Sequence, residues 1–169
     1  ECRAGLQFNP FNDKKATCPR CKKAFSLARP SPATDYRGTL YEGWGCSYLQ
    51  RLADTAQQLA LLHALGAERR YAEHSAGILK LFATHIKPLP VLGRGTQTVI
   101  WTYNKEGDCG IVVHLTEAYE LLRNVEGLFS PEEHRTIQID LLKHWVDSVF
   151  RVEDDSTPRW NQMFHYLSA

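Results

Sequence analysis

The chain has 169 residues, of which 43% are hydrophobic and 23% are charged, as in an ordinary globular domain with a hydrophobic core. Its 20 basic and 19 acidic residues leave a net charge of +1, which argues against nucleic acid as a partner. No apolar run approaches the roughly 20 residues of a membrane-spanning helix. Five cysteines are too few, and odd in number, for a domain stapled by disulfides.

Two regions of different composition follow one another along the chain. Residues 1–35 contain three of the five cysteines and four of the eight prolines, and they show no helical period. The stretch "ARPSPATDYRG" ends this region and has the prolines and small polar residues of a linker. We therefore predict a cysteine-containing segment with a linker over 1–35 and a helical domain over 36–169.

The first half of the helical domain predicts an antiparallel helix pair. In "GWGCSYLQRLADTAQQLALLHALG" the apolar residues recur at helical spacing, and Gly66 is a plausible end of the helix. The next stretch, "AERRYAEHSAGILKLFATHI", has a second apolar stripe at the same spacing. Because the connection between the two helices is very short, they should pack as a hairpin.

The second half predicts a long loop followed by further helices. The loop is "KPLPVLGRGTQTVIWTYNKEGDCG", and a third helix follows in "IVVHLTEAYELLRNV". A fourth helix opens at "SPEE", where Ser130 caps the helix, Pro131 enters the first turn and Glu133 completes a capping box. A fifth helix begins near Trp160, and no strand is predicted. The fold class is therefore all-α, with stacked helix hairpins in a solenoid or a closed ring.

The stretch "TCPRCKKAF" predicts a structural metal site. Cys18 and Cys21 have the spacing at which two thiolates reach one tetrahedral zinc ion, and the tight turn between them points backbone N–H groups at the sulfurs. Cys2 is the third candidate ligand, and a fourth could precede Glu1. The alternative is free or disulfide-bonded thiols. A bound zinc ion would hold a segment too small to fold alone and would not catalyse a reaction.

Near its end the chain has an Asn and a His on one helix face. Asn161 and His165 are four residues apart in "PRWNQMFHYLSA", with Trp160 beside them. From the spacing alone, a helix cap at Asn161 and an ordinary histidine at His165 are the favoured interpretation.

The order of several motifs resembles that of one enzyme family. The stretch "YRGTLYEGWGCSYLQRLADTAQQLALLHALGAERRYAEHSAGILKLFA", with "CPRC" upstream, is similar to the N-terminal helical region of the heparinase II/III-like and alginate-lyase-like polysaccharide lyases. The stretches "LTEAYELLRNVEGLFSPEEHRTIQIDLLKHWVDSVF" and "RWNQMFHYLSA" also resemble that family. The resemblance covers most of the chain, from about Cys18 to Ala169.

The resemblance implies part of an incomplete (α/α) toroid from a larger enzyme that cleaves uronic-acid polysaccharides by β-elimination. Asn161 would neutralise the uronate carboxylate, and His165 would assist it or act as a base. The family's catalytic Tyr and a second His come from later regions, so we expect this chain to be a fragment without activity of its own. The resemblance also implies a periplasmic or secreted protein, and no organic cofactor is expected.

Aromatic side chains and one histidine are candidate sugar contacts. Trp101 and Tyr103 on the long loop, and Trp160 beside Asn161, could stack on sugar rings, and His114 could face the interior of the toroid. For each of the aromatic residues the alternative is core packing.

Two other classes of protein remain open from the sequence. An (α/α)-barrel glycoside hydrolase would need two carboxylates beside the scissile bond, and Glu106, Asp108, Glu117 and Glu120 are available without an obvious pair. A non-catalytic helical scaffold with a zinc knuckle would bind another macromolecule. A product that absorbs in the ultraviolet would separate the lyase from both alternatives.

Overall fold

The computed structural model describes residues 6, 8, 9, 12, 14–27, 40–85, 92–94, 97–99 and 105–150. Most of this part of the chain is helical, which confirms the predicted fold class at that level. The elements in chain order are β1 (Lys15–Thr17), β2 (Ala24–Ser26), α1 (Leu40–Ala64), α2 (Arg69–His85), β3 (Leu92–Arg94), β4 (Gln97–Val99), α3 (Lys105–Leu122), α4 (Pro131–Arg135) and α5 (His144–Phe150). A π-helical segment, Thr136–Lys143, joins α4 to α5.

Helices α1 and α2 form the predicted antiparallel hairpin. Gly66 ends α1 with a φ of 96°, and the Gly66 and Ala67 N–H groups donate to the carbonyls of His63 and Leu62 at 2.9 and 3.0 Å. This pair of bonds is a Schellman motif, in which glycine supplies the left-handed residue. Farther from the turn, the buried Ser75 hydroxyl donates to the Ala56 carbonyl at 2.7 Å and ties the two helices together.

Helices α1 and α3 lie side by side and run parallel. The Gln57 amide donates to the Glu117 carboxylate, and these two residues are 60 positions apart. A Cβ added at Gly110 would lie 3.0 Å from the Gln50 amide nitrogen, and this pair has the same separation. Because the separation stays constant along both helices, their directions must agree.

Helices α2 and α4 are arranged in the same way. The Lys80 ammonium lies 2.6 Å from the Glu133 carboxylate, and Thr84 and Ile137 line one pocket beside this ion pair. Glu133 follows Lys80 in the sequence by the same number of positions as Ile137 follows Thr84. Helix α2 therefore runs parallel to α4 and the π-helical segment. The described helices therefore form two stacked αα-hairpins, in which α3 lies beside α1 and α4 lies beside α2.

The hydrophobic core lies between these two hairpins. On α1 the buried positions are alanines, Ala53, Ala56 and Ala60, so neighbouring helices can approach this stripe closely. Large side chains from the other helices fill the remaining space: Leu79, Ile111, Leu115, Leu122, Ile137 and Leu141 are each fully buried. The apolar stripe predicted for α2 thus faces this core. None of the described helices is long and apolar enough to cross a membrane.

The structure corrects two details of the sequence-based description. Two short antiparallel strand pairs are present, β1 with β2 and β3 with β4, where no strand was predicted. Helix α3 begins at Lys105, earlier than the predicted start, because burial of Cys109 and Ile111 in the apolar core offsets the low helix propensity of Gly107 and Gly110. The loop before α3 is correspondingly shorter than predicted.

Candidate functional site

A tight turn between β1 and β2 carries the two cysteines of the predicted metal site. The Cys18 N–H donates to the Lys23 carbonyl at 2.9 Å, and the Lys22 N–H donates to the Cys18 carbonyl at 3.0 Å. The Cys21 N–H is directed at the Cys18 sulfur, 3.5 Å away. This is the predicted turn geometry, with a backbone donor aimed at sulfur. Lys22 closes the turn with a φ of 62°, which non-glycine residues adopt at a cost.

The two sulfurs occupy different environments. Cys18 is 3% exposed, whereas Cys21 is exposed at the tip of the turn, and both are thiols in the structure. Within the described part of the chain, no group of three or more metal-binding side chains comes together. Cys2, the third predicted ligand, lies outside the described residues. The turn therefore presents two of the four donors that a tetrahedral zinc ion takes.

Basic side chains surround the cysteine turn. The Lys22 ammonium donates to the Pro19 carbonyl at 2.7 Å, and the Lys23 ammonium lies 5.5 Å from the centre of the Phe25 ring. Arg20 is also exposed on the turn. These basic side chains would offset the negative charge of two metal-bound thiolates.

The segment that leads into the turn is attached to α1. The Asn9 carbonyl accepts a hydrogen bond from the Trp44 indole at 2.9 Å, and the Phe8 ring packs against the backbone at Gly43. Between this attachment and β1, the Asn12 side chain accepts from the N–H groups of Lys14 and Lys15 at 3.1 and 3.2 Å. We call residues 8, 9, 12 and 14–27 the strap, because their contacts connect the cysteine turn to the start of α1.

A polar network joins α3 to α4 and was not predicted. The Tyr119 hydroxyl is 2.8 Å from His134 Nδ1 and accepts a hydrogen bond from the Gln138 amide at 2.8 Å. The Phe129 ring packs against both Tyr119 and His134. Tyr119 is 2% exposed, so this network lies between helices and not in an open cleft. The network therefore stabilises the packing of α3 against α4.

His114, the predicted sugar contact on α3, is half-buried. Its Nδ1 atom is buried and has no hydrogen-bond partner in the described structure. It follows Gly110 by one turn and precedes Glu117 by about one turn, and both of these residues contact α1. His114 therefore lies at the edge of α3 that faces α1. Whether sugar binds there stays a prediction.

Of the four carboxylates available to a glycoside hydrolase, three have described side chains on α3, and the side chain of Glu106 lies outside the described part. Asp108 is buried at 2% exposure, and Glu117 accepts from Gln57. Glu120 forms an ion pair with Arg123 at 3.1 Å. The described part of α3 thus presents Glu117 and Glu120 to solvent, and each of them is engaged by another side chain.

An ion pair on the other side of the molecule borders a shallow pocket of about 230 Å³ between α2 and α4. The Lys80 ammonium bonds to the Glu133 carboxylate, and Glu133 also accepts from the Ser130 N–H at 2.8 Å. The Lys80 hydrogen bond, followed by the backbone bond from Ser130, lowers the pKa of Glu133 below its usual range. The same Glu133 completes the predicted capping box of α4. The pocket is consequently bordered by groups that already have structural partners.

The remaining predicted site residues lie outside the described residues. They are the catalytic candidates Asn161 and His165 and the sugar-contact candidates Trp101, Tyr103 and Trp160. The structure therefore brings together Cys18 and Cys21, places His114 on α3 and leaves the other assignments as predictions.

Comparison with known proteins adds no relative to this description. The chain matches no protein-family model, no curated protein and no solved structure. The likeness to polysaccharide lyases therefore rests on the motifs quoted above and on their order along the chain.

Proposed function

We propose that the chain is the N-terminal part of the catalytic toroid of a polysaccharide lyase, which cleaves uronic-acid-containing glycans by β-elimination outside the cytoplasm. The proposal combines the order of the sequence motifs with the packing of the helices. On this proposal the enzyme is longer than these 169 residues, and this part alone has no activity.

The parallel stacking of consecutive hairpins is the observation that carries the proposal. In an (α/α) toroid the first helices of successive hairpins line the inside and the second helices form the outside. Parallel packing of α1 with α3, which are joined by Gln57 and Glu117, supports this proposal, as does that of α2 with α4, which are joined by Lys80 and Glu133. An up-and-down bundle would instead place antiparallel helices next to each other throughout.

The chemistry explains the residue types in the proposed site. The proton at C5 of a uronate becomes acidic enough to remove only when the adjacent carboxylate is neutralised. The Asn161 amide would donate hydrogen bonds to that carboxylate and stabilise the enolate-like transition state. His165 would support this contact or remove the proton, and an acid from a later region would protonate the leaving oxygen.

The test is an activity assay on the product of the complete reading frame that contains these residues. The purified protein is incubated with alginate and with heparin-like chains, and ultraviolet absorbance reports the C4–C5 double bond of a lyase product. We expect Asn161→Ala to lower kcat by roughly 100- to 1000-fold, as for other donors to a developing oxyanion. Gln162→Ala, at the neighbouring position, is the matched control and should leave kcat unchanged.

Two outcomes would reject the proposal. New reducing ends without ultraviolet absorbance would show hydrolysis and favour the glycoside hydrolase. No cleavage of any uronate chain by a folded full-length protein would favour the helical binding scaffold.

A further inference from the structure

We propose that Cys18 and Cys21 bind a structural zinc ion, and that this ion holds the strap in place on the N-terminal part of α1. The inference does not depend on the proposed lyase function, because it rests on the contacts of the strap alone. The Trp44 indole donates a hydrogen bond to the strap, so Trp44 fluorescence reports whether the strap stays in place when the metal is removed.

The turn geometry is the first observation behind the metal site. A thiolate that binds metal still carries negative charge, and backbone N–H groups directed at the sulfur stabilise it. The Cys21 N–H has this position relative to the Cys18 sulfur. The turn achieves it by holding Lys22 at a φ of 62°, an unfavourable value for a lysine. Strained backbone of this kind persists only where the surrounding structure requires it.

The small size of the hairpin is the second observation. Strands β1 and β2 have three residues each, and an isolated two-stranded hairpin is marginally stable in water. Of the described residues in this hairpin, only Ala16, Cys18 and Leu27 are buried. This apolar surface is too small to order such a segment without another source of stability. A metal ion supplies that stability in small domains of this kind.

The ligand type indicates which metal binds. Two thiolates are soft donors and select zinc over magnesium or calcium. Structural zinc takes four donors in a tetrahedron, so two ligands besides Cys18 and Cys21 complete the site. The charge left on the thiolates is offset by the basic side chains of Arg20, Lys22 and Lys23 on the same turn.

A series of hydrogen bonds along the strap connects the cysteine turn to α1. The Leu27 N–H donates to the Lys14 carbonyl at 2.8 Å and closes the open end of the hairpin. Asn12 fixes the entry into β1, and its own N–H donates to the Asn9 carbonyl at 3.0 Å. The same Asn9 carbonyl accepts from the Trp44 indole. Loss of the metal should therefore disorder the hairpin and weaken the contact at Trp44.

Cobalt substitution tests the site directly. The 169-residue chain is purified under reducing conditions, stripped of metal and titrated with Co²⁺, whose sulfur charge-transfer absorption reports thiolate ligation. We expect one Co²⁺ per chain and displacement by Zn²⁺. Cys18→Ser and Cys21→Ser should each weaken Co²⁺ binding by more than about 100-fold, because even loss of an outer-shell contact costs 10- to 100-fold. Cys46→Ser and Cys109→Ser are the matched controls and should bind normally.

Fluorescence of Trp44 tests the coupling to α1. Chelation of the metal should change the emission of the wild-type chain, and Trp44→Phe should remove that change while binding Co²⁺ normally. Far-ultraviolet circular dichroism checks that each variant retains its helices. The proposal is overturned if the wild-type chain gives no charge-transfer band, or if Cys18→Ser leaves the band intact. It is also overturned if chelation leaves the emission of Trp44 unchanged while metal is lost.

Discussion

The strap and the helical hairpins are held together by different forces. Between the hairpins a continuous cluster of apolar side chains is buried, including Leu79, Leu115 and Leu141 at 0% exposure. The strap has almost no such cluster and depends on backbone hydrogen bonds around Cys18 and on the Asn9–Trp44 contact. Apolar burial is insensitive to metal and to moderate acid, whereas a thiolate site responds to both. The two regions should therefore lose their structure under different conditions.

Truncation of a core leucine should have the largest effect on stability, and it should show whether the helical body unfolds independently of the strap. Leu79→Ala leaves a cavity in the fully buried centre of the helical body, and we expect it to lower the free energy of unfolding by about 2–5 kcal/mol. Urea unfolding followed by circular dichroism at helical wavelengths measures this change. Leu27→Ala is the control in the strap and should leave the helical transition unchanged. Equal shifts for the two variants would mean that strap and helices unfold as one unit.

Removal of a single buried hydroxyl should have the next largest effect. Tyr119→Phe leaves the Gln138 amide without its acceptor and His134 without its partner between α3 and α4. We expect a loss of about 1–3 kcal/mol in the free energy of unfolding, the net contribution of two hydrogen bonds, because the exposed Gln138 and the half-buried His134 can bond to water instead. Thermal unfolding followed by circular dichroism measures it.

Tyr71→Phe is the matched control for this prediction. Tyr71 is only half-buried on α2, and its ring packs under the Arg70 guanidinium at 5.3 Å. Its hydroxyl can be removed with a change within about 0.5 kcal/mol. If the two variants were equally stable, the polar network would contribute nothing to the joining of α3 and α4.

Left-handed backbone occurs in both regions, so one position in each can be tested in the same way. Gly66 has this conformation at the end of α1, and Lys22 has it in the cysteine turn. Gly66→Ala should destabilise the helical body by about 1–2 kcal/mol, and Lys22→Gly should stabilise the strap by a similar amount. Urea unfolding measures the first change, and hydrogen exchange of the hairpin amides measures the second.

A second variant at position 22 isolates the backbone contribution. Lys22→Ala removes the same side chain, including its bond to the Pro19 carbonyl, but keeps a Cβ in the left-handed conformation. Only Lys22→Gly should therefore slow hydrogen exchange in the hairpin. If Lys22→Ala slowed exchange equally, the side chain and not the backbone would be responsible.

The features that were predicted correctly depend on residues close together in sequence. The capping box of Ser130 and Glu133, the end of α1 at Gly66 and the turn at Cys18 each involve a few neighbouring residues. Their chemistry acts locally, so the residue types and their spacing were sufficient. The hairpin of α1 and α2 was also predictable, because a short connection leaves the two helices few alternatives.

The features that were missed depend on distant contacts or on weak local preferences. The bond between Tyr119 and His134 joins residues 15 positions apart across a turn, and neither residue stands out in the sequence. Strands β3 and β4 have three residues each, too short for a clear alternating pattern. The parallel register of α1 and α3 arises from packing and has no local signal.

Helix capping and acid should produce the smallest effect in the helical body. Ser130→Ala removes the hydroxyl that accepts from the Glu133 N–H at 3.2 Å, and we expect a loss of about 1 kcal/mol in the free energy of unfolding. Thermal unfolding at neutral pH measures it. Thr55→Ala is the control, because its exposed hydroxyl bonds only to the Arg51 carbonyl within one helix. An equal loss for both variants would mean that capping of α4 adds no stability.

The pKa of Glu133 sets the direction in which acid changes the stability of the helical body. Hydrogen bonds from Lys80 and Ser130 lower this pKa in the folded chain, so folding favours the ionised carboxylate. Its stabilising contribution is present above the unfolded pKa of about 4.3 and is lost as the pH falls through the lower folded pKa. Unfolding free energies measured from about pH 7 down to about pH 3 should show this loss, and Glu133→Gln should reduce it. If Glu133→Gln lost stability on acidification as steeply as the wild-type chain, Glu133 would not be the group responsible for the acid effect.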